Sequence, residues 1–235
     1  MLSTQPLYRD RLPQLHNQLL VCDGGMETTL IYHEGLTLPC FASFTLLDST
    51  SGIATLKKYY SRYAEIARRH ETGIIIETAT WRANPDWLAQ LGYVTEDLGI
   101  INRRAVSLLT ELRAEWSVDI EPVVIGGVIG PRGDGYVPGQ LMSVAEAAAY
   151  HSAQMRVFVG SAVDIVTAYT MNYVEEAIGI VMAARAEGMP VAISFTVETD
   201  GCLPGGQTLR AAIEQVDAAT DCYASYFQIN CAHPT

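Results

Sequence analysis

Cys231 is the residue whose type and position in this sequence point most directly to chemistry. It follows Asn230 at the end of a β-rich segment, Tyr223–Cys231, that predicts a strand. A thiolate at the end of a strand can bind a soft metal or act as a nucleophile. A lone cysteine is more often an inert packing residue. His233, two residues on, is either a second ligand or an ordinary loop residue.

A second candidate is the segment Asp23-Gly24-Gly25-Met26, which follows the first predicted strand. The two glycines let a ligand approach the backbone N–H groups, and Asp23 places a carboxylate beside them. The competing interpretation is a tight turn in which the aspartate caps a helix, and this is the more common use of such residues.

Hydroxyl and aromatic side chains mark the end of the second predicted strand, Gly73–Thr80. Because side chains alternate along a strand, Thr78 and Thr80 are expected on one side and Glu77 on the other. Trp81 follows as a candidate wall of a site. A packed tryptophan after β-branched strand residues explains the same pattern equally well.

The order of the elements predicts how these residues come together. The predicted strands are Leu19–Asp23, Gly73–Thr80, Pro122–Ile129, Ala162–Thr170, Val191–Val197 and Tyr223–Cys231. Apolar residues at helical spacing predict helices over Gly52–His70, Asp97–Trp116, the segment from Ser143, the segment from Asn172, and Thr208–Thr220. Ser143 and Asn172 each precede a glutamate by three residues, the spacing of a helix N-terminus.

Alternating strands and helices predict an α/β fold with a parallel sheet. Either an open doubly wound sheet or an eight-stranded barrel has this alternation. The unusual residues lie at the carboxyl ends of six different strands, and only a barrel brings all six ends to one mouth. We therefore predict a (β/α)8 TIM barrel of which this chain supplies about six strands. Residues 1–235 are expected to form a single domain with an N-terminal extension, 1–18.

Composition excludes several classes of function. The chain has 15 Lys and Arg against 26 Asp and Glu, a net charge of −11, so binding to nucleic acid or an anionic membrane is not expected. Apolar residues make up 49% of the sequence, which is typical of a globular protein. Neither a signal peptide nor a membrane-spanning stretch is predicted. Five scattered cysteines favour the reducing cytoplasm.

Six motifs occur in a recognisable order. They are DGGM at 23–26, ETATW at 77–81, GGVIGPRGDGY at 126–136, VDIVTAYT…VEEA at 163–177, PVAISFTV at 190–197 and INCAHP at 229–234. Together they resemble the homocysteine S-methyltransferase family, from about residue 19 to the end of the chain. Each motif alone is weak evidence, whereas six in the family's order are strong evidence.

The resemblance implies a zinc ion held by three cysteines, of which Cys231 is one. The other two form an adjacent Cys-Cys pair in the family, and residues 1–235 contain no such pair. Either the chain is most of a longer protein, or it is a shortened member that has lost its metal chemistry. Zinc would deprotonate the thiol of homocysteine, which then accepts a methyl group from a sulfonium or quaternary ammonium donor to give methionine.

The resemblance also implies a set of substrate-binding residues. Asp23 and the backbone of Gly24, Gly25 and Met26 would position the amino acid. Thr78, Ser194 and Asn230 would complete its pocket, with Trp81 as a wall. No further catalytic group is needed beyond the metal-bound thiolate.

One departure from the family lies on the fourth strand. Its members usually have an acidic residue there that contacts the amino acid, and this chain has Tyr169 followed by Thr170. The departure favours an altered substrate, such as another thiol or a selenol, or a non-catalytic barrel that binds a small molecule without zinc. The methyl donor stays open among S-methylmethionine, betaine and S-adenosylmethionine, and the exposed sheet edges favour a homo-oligomer.

Overall fold

The computed structural model describes residues 5–137, 139 and 141–232, and it places six parallel strands in one sheet in sequence order. The strands are β1 (Leu20–Cys22), β2 (Gly73–Glu77), β3 (Val123–Ile129), β4 (Ile165–Met171), β5 (Val191–Phe195) and β6 (Tyr226–Ile229). All six predicted strands are confirmed, with bounds that differ by a few residues. His233 lies outside the described residues.

The sheet is curved, as part of a barrel requires. The Tyr169 hydroxyl of β4 donates a hydrogen bond of 2.6 Å to Glu77 Oε2 of β2, across the intervening β3. A concave inner face brings the side chains of β2 and β4 toward each other in this way. Gly126 of β3 provides the space for this contact, because a Cβ at that position would lie 3.0 Å from Glu77 Cγ. The predicted α/β fold, a partial TIM barrel, is confirmed.

Helices cover the outer face of the sheet. They are α1 (Met26–Thr28), continued by a π-helical turn (Thr29–His33), then α2 (Thr50–Arg69), α3 (Pro85–Gln90), α4 (Asp97–Trp116), α5 (Val144–Val159), α6 (Val174–Ala186) and α7 (Leu209–Thr220). The five predicted helices correspond to α2, α4, α5, α6 and α7. Helices α1 and α3 were not predicted, since each is too short to show a period.

The two predicted helix starts have different outcomes. At α5 the prediction is confirmed, because Ser143 and Glu146 form a complete capping box. At α6 it is wrong: Tyr173 is the N-cap residue and makes no side-chain cap, while Asn172 Nδ2 donates to the Asp134 carbonyl instead. Asn172 thus ties the end of β4 to the loop after β3.

Apolar packing differs between the two faces of the sheet. A large cluster fills the space between the strands and the helices. A much smaller one lies on the inner face, where Ile75, Val124, Ile165 and Ala192 from four neighbouring strands meet Leu12 of the N-terminal segment. Bulky side chains therefore fill the inner face toward the amino ends of the strands, and polar residues are left to the carboxyl ends.

The predicted extension is ordered where it is described. Leu7 N and Tyr8 N donate to Asp164 Oδ1 at 2.7 and 2.8 Å, just before β4. The segment therefore packs against the amino end of the sheet. Within the described residues no helix combines the length and apolar character needed to cross a membrane. That residues 1–235 form a single domain stays a prediction.

Candidate functional site

A cavity of about 480 Å³ opens at the carboxyl ends of the strands. Nine of the ten residues predicted for the site line it, namely Asp23, Gly24, Gly25, Met26, Thr78, Trp81, Tyr169, Asn230 and Cys231. The exception is Ser194, whose hydroxyl lies behind the wall and donates to Asn230 Oδ1 at 2.7 Å. The structure thus brings together residues from four strand ends that are far apart in sequence.

Two buried carboxyl groups form the acidic end of the cavity. Asp23 Oδ1 accepts the Glu77 backbone N–H at 3.2 Å, and the ligand atoms of Cys22, Asp23 and Glu77 all lie within 4.8 Å of one another. Burial raises the pKa of Glu77 to about 7. Burial and the neighbouring Glu77 also raise the pKa of Asp23 well above its ordinary value. The pair therefore tends to hold a proton near neutral pH.

Glu77 differs from its predicted position. Alternation placed it opposite Thr78, yet both residues line the cavity. Strand β2 ends at Glu77, so the alternation no longer applies to Thr78. Thr78 and Thr80 do share a side as predicted, with their hydroxyls 2.6 Å apart. Thr80 is buried, donates its hydroxyl to the Val128 carbonyl and does not line the cavity.

Asn230 connects three strand ends beside Cys231. Its Oδ1 accepts the Thr170 backbone N–H at 3.0 Å, and its Nδ2 donates to Thr170 Oγ1 at 2.9 Å. The same Nδ2 lies 3.2 Å from Cys231 Sγ. Thr170 and Cys231 both have a left-handed backbone, with φ of 64° and 53°. For a β-branched residue this is a strained conformation, of the kind found at functional sites.

Loops above the strand ends supply residues that the sequence analysis did not select. Arg82, Phe41, Asp134 and Tyr136 all line the cavity. The Arg82 guanidinium lies between the rings of Trp81 and Trp87, 3.9 Å from each ring centroid. A charged residue directly after the ETATW motif was a signal that could have selected Arg82. Asp134 and Tyr136 come from a loop whose path only the fold decides.

Cys231 is the cavity residue whose donor atom best suits zinc, although the carboxylates of Asp23 and Glu77 also line the cavity. Cys231 is the only cysteine among the described residues that line the cavity, and its exposed thiol is the soft donor that zinc prefers. The Cys22 thiol is a poorer donor. Burial, then Glu77 and Asp23, raise its pKa, and it donates to Glu77 Oε2 at 3.9 Å. The Cys231 thiol therefore fits zinc as a single ligand.

A family profile and the similar curated proteins point to the same protein family. The family profile described as homocysteine S-methyltransferase matches residues 20–235. Betaine–homocysteine S-methyltransferase 1 of Sus scrofa is 29% identical over 162 residues, which cover 67% of this chain and 53% of that protein. The Mus musculus protein of the same name is also 29% identical, over 36% of its length. The chain thus spans about half, or less, of these relatives.

Solved structures show the same fold. The metallated form of the homocysteine methyltransferase MmuM from Escherichia coli superposes with a TM-score of 0.73 at 18% identity, covering 95% of this chain and 78% of that one. Its oxidized form gives 0.72 at 21% identity, covering 92% and 75%. At these identities the likeness supports the barrel architecture and not the activity.

Proposed function

The chain belongs to the homocysteine S-methyltransferase family, and we propose that it transfers a methyl group from a small onium donor to the thiol of homocysteine, giving methionine. In the transfer the homocysteine thiol loses its proton, and the resulting thiolate sulfur forms a bond to the methyl carbon. The donor's bond to the same methyl carbon breaks, and the donor leaves as a neutral thioether or tertiary amine. The donor is a sulfonium or a quaternary ammonium compound.

The observation that carries this proposal is that Asp23, Thr78 and Cys231 line one cavity although their strands are widely separated in sequence. Asp23 and the backbone of Gly24 and Gly25 would bind the amino-acid end of homocysteine. Its sulfur would then lie toward Cys231. In this arrangement Asn230 is a positioning residue, since it holds Cys231 against β4 and β5.

Zinc is part of the proposal. Cys231 would be one of its ligands. When bound, the ion supplies the positive charge that keeps a coordinated thiol deprotonated at neutral pH. The described residues do the rest: they bind the two substrates, orient them and restrict water. We also place the reaction in the reducing cytoplasm, in keeping with five free cysteines.

The proposal is tested with Cys231→Ser, and Cys222→Ser is the matched control because Cys222 is exposed just before β6, at the opposite end of the sheet. Methionine formation is measured with S-methylmethionine, betaine and S-adenosylmethionine in turn, alongside zinc content. We expect turnover with one donor in the wild type and in Cys222→Ser, and loss of both zinc and turnover in Cys231→Ser.

Two results would contradict the proposal. One is a Cys231→Ser protein that keeps its turnover. The other is a wild-type protein that binds homocysteine tightly in the absence of zinc and never turns it over with any donor. That second result would instead support a metal-free binding protein, the alternative that Tyr169 favours.

A further inference from the structure

Arg82 is a buried cation in the wall of the cavity. The residue is only 5% exposed, yet it lines the cavity at the level of the loops. The rings of Trp81 and Trp87 enclose its guanidinium on both faces. Stacking of this kind holds the planar group in one orientation and leaves its N–H edge as the only direction for further contacts.

The N–H edge of Arg82 is largely unused. Of the five N–H donors of a guanidinium, one, on Nη1, donates to the Gly133 carbonyl at 2.9 Å. Nε is buried without a partner, and within the described part of the chain no carboxylate lies within ion-pair distance of the group. Burial lowers the pKa of Arg82 to about 10, which still leaves it charged at neutral pH. Asp134 and Glu27 act on this charge from a distance without pairing with it, so the N–H edge is left available to an anionic ligand.

The rest of the cavity limits what that anion can be. Asp23, Glu27, Glu77 and Asp134 all line it and make its described surroundings acidic. A phosphate dianion would be repelled by such a wall. A single carboxylate on a molecule that also carries a positive charge satisfies both kinds of group. Its cationic part would face the Asp23–Glu77 pair, and the planar fork of arginine matches a carboxylate with two N–H donors.

We infer that Arg82 binds the carboxylate of a zwitterionic substrate in this cavity. The inference rests on the proposed function, since both substrates of such a methyl transfer belong to this chemical class. The carboxylate belongs either to the amino-acid acceptor or to the methyl donor. Arg82 is therefore a specificity-determining residue, because it selects the substrate by its anionic end.

The opposing explanation is that Arg82 only stiffens its loop. Arg132 provides a matched comparison. Its guanidinium also lies over an aromatic ring, at 4.9 Å from the Tyr150 centroid, but it is exposed, paired with Asp86 and outside the cavity. A purely structural arginine should behave like Arg132 and have no effect on which ligands bind.

The test is a binding comparison by calorimetry on the purified protein. Two ligand pairs each differ only in the carboxylate: L-methionine against L-methioninamide for the acceptor side, and betaine against choline for the donor side. Measurements at about pH 6 keep the α-amino groups protonated. We expect the wild type and Arg132→Met to prefer the carboxylate form of one pair by about 10-fold or more, and Arg82→Met to reduce that preference to about 2-fold or less.

The outcomes separate this inference from the proposed function. Equal binding of both members of each pair by the wild type overturns it, and so does an unchanged preference in Arg82→Met. Failure of all four ligands to bind overturns the proposed function as well. Absence of turnover alone leaves the comparison valid, because it measures binding. If Arg82→Met does not fold, Arg82→Lys decides: it keeps the charge but loses the fork, and an undiminished preference overturns the inference.

Discussion

At the scale of single residues, the Asp23–Glu77 pair shows how one cavity can hold two acids. Both side chains are buried, and the Tyr169 hydroxyl donates to Glu77 Oε2. Ionising both of these neighbouring carboxyl groups would cost free energy, because the two negative charges would repel each other. The pair therefore retains one proton. The Tyr169 contact joins β4 to Glu77 of β2 across the intervening β3.

Glu77 should therefore make stability depend on pH. Its pKa is about 7 in the folded protein, against an ordinary value of 4.5. Between these values the folded protein keeps a proton that the unfolded chain has lost, so the free energy of unfolding falls as pH rises from 4.5 to 7. We expect the wild type to lose about 1–3 kcal/mol more than Glu77→Gln over that interval, measured by urea unfolding at several pH values.

The control for this measurement is Glu65→Gln, which removes an exposed carboxyl from α2. It should keep the wild-type pH dependence. Parallel pH profiles for the wild type and Glu77→Gln would show that Glu77 ionises normally in the folded state.

At the scale of elements, the carboxyl end of β4 is where the regular pattern fails. Its register with β5 shifts between Ala168 and Met171, and Thr170 takes a left-handed backbone. The shift lets Tyr169 turn into the cavity while the Thr170 N–H bonds Asn230 of the chain after β6. An apolar run in the sequence predicts the strand but carries no signal for such an irregularity.

The start of α5 offers a prediction at the same scale. Ser143 Oγ accepts the Glu146 N–H at 3.3 Å, and Glu146 Oε2 accepts the Ser143 N–H at 2.8 Å. Replacing Ser143 by alanine leaves the Glu146 N–H without its acceptor. We expect the free energy of unfolding to fall by about 0.5–2 kcal/mol, measured by chemical denaturation.

Ser152→Ala is the matched control within the same helix. The Ser152 hydroxyl bonds only the Ala148 carbonyl inside α5, and alanine is the better helix former. Its effect should be within about 0.5 kcal/mol. Equal losses in the two variants would mean that the cap contributes nothing particular.

In the whole molecule, the two ends of the sheet differ in role: one carries the cavity and the other holds the elements together. The carboxyl end carries the cavity, and the amino end is held together by Asp164. Its Oδ2 accepts from Arg113 Nη1 at 3.0 Å and from the Ile125 N–H at 2.9 Å, while Oδ1 accepts two N–H groups of the N-terminal segment. One buried carboxylate thus joins α4, β3 and the chain before β1.

Asp164→Ala should destabilise the molecule strongly. It leaves the Arg113 charge buried without its carboxylate and frees the N-terminal segment. We expect a loss of about 3–5 kcal/mol in the free energy of unfolding, followed by circular dichroism in urea. Glu111→Gln breaks the exposed Lys57–Glu111 pair and should cost less than about 1 kcal/mol. A small effect of Asp164→Ala would argue that the segment packs independently of this contact.

Local sequence patterns suffice to predict the order of the strands and the end of the sheet at which polar residues lie. These follow from local periodicity and from the right-handed connection between parallel strands, which together assign Asp23, Thr78 and Cys231 to one mouth. The packing of the N-terminal segment is an exception. It depends on hydrogen bonds to Asp164, which the periodicity of the sequence does not predict.

The contacts between side chains, in contrast, become visible in the folded molecule alone. Glu77 meets Tyr169 because the sheet curves and Gly126 leaves space between them, and Asn230 meets Thr170 because β4 is irregular at its end. Arg82 is a candidate for binding an anion because Nη1 donates to the Gly133 carbonyl while Nε is buried without an acceptor. Contacts of this kind join residues far apart in sequence, and they depend on curvature and register, which are set by the packing of the whole sheet against its helices.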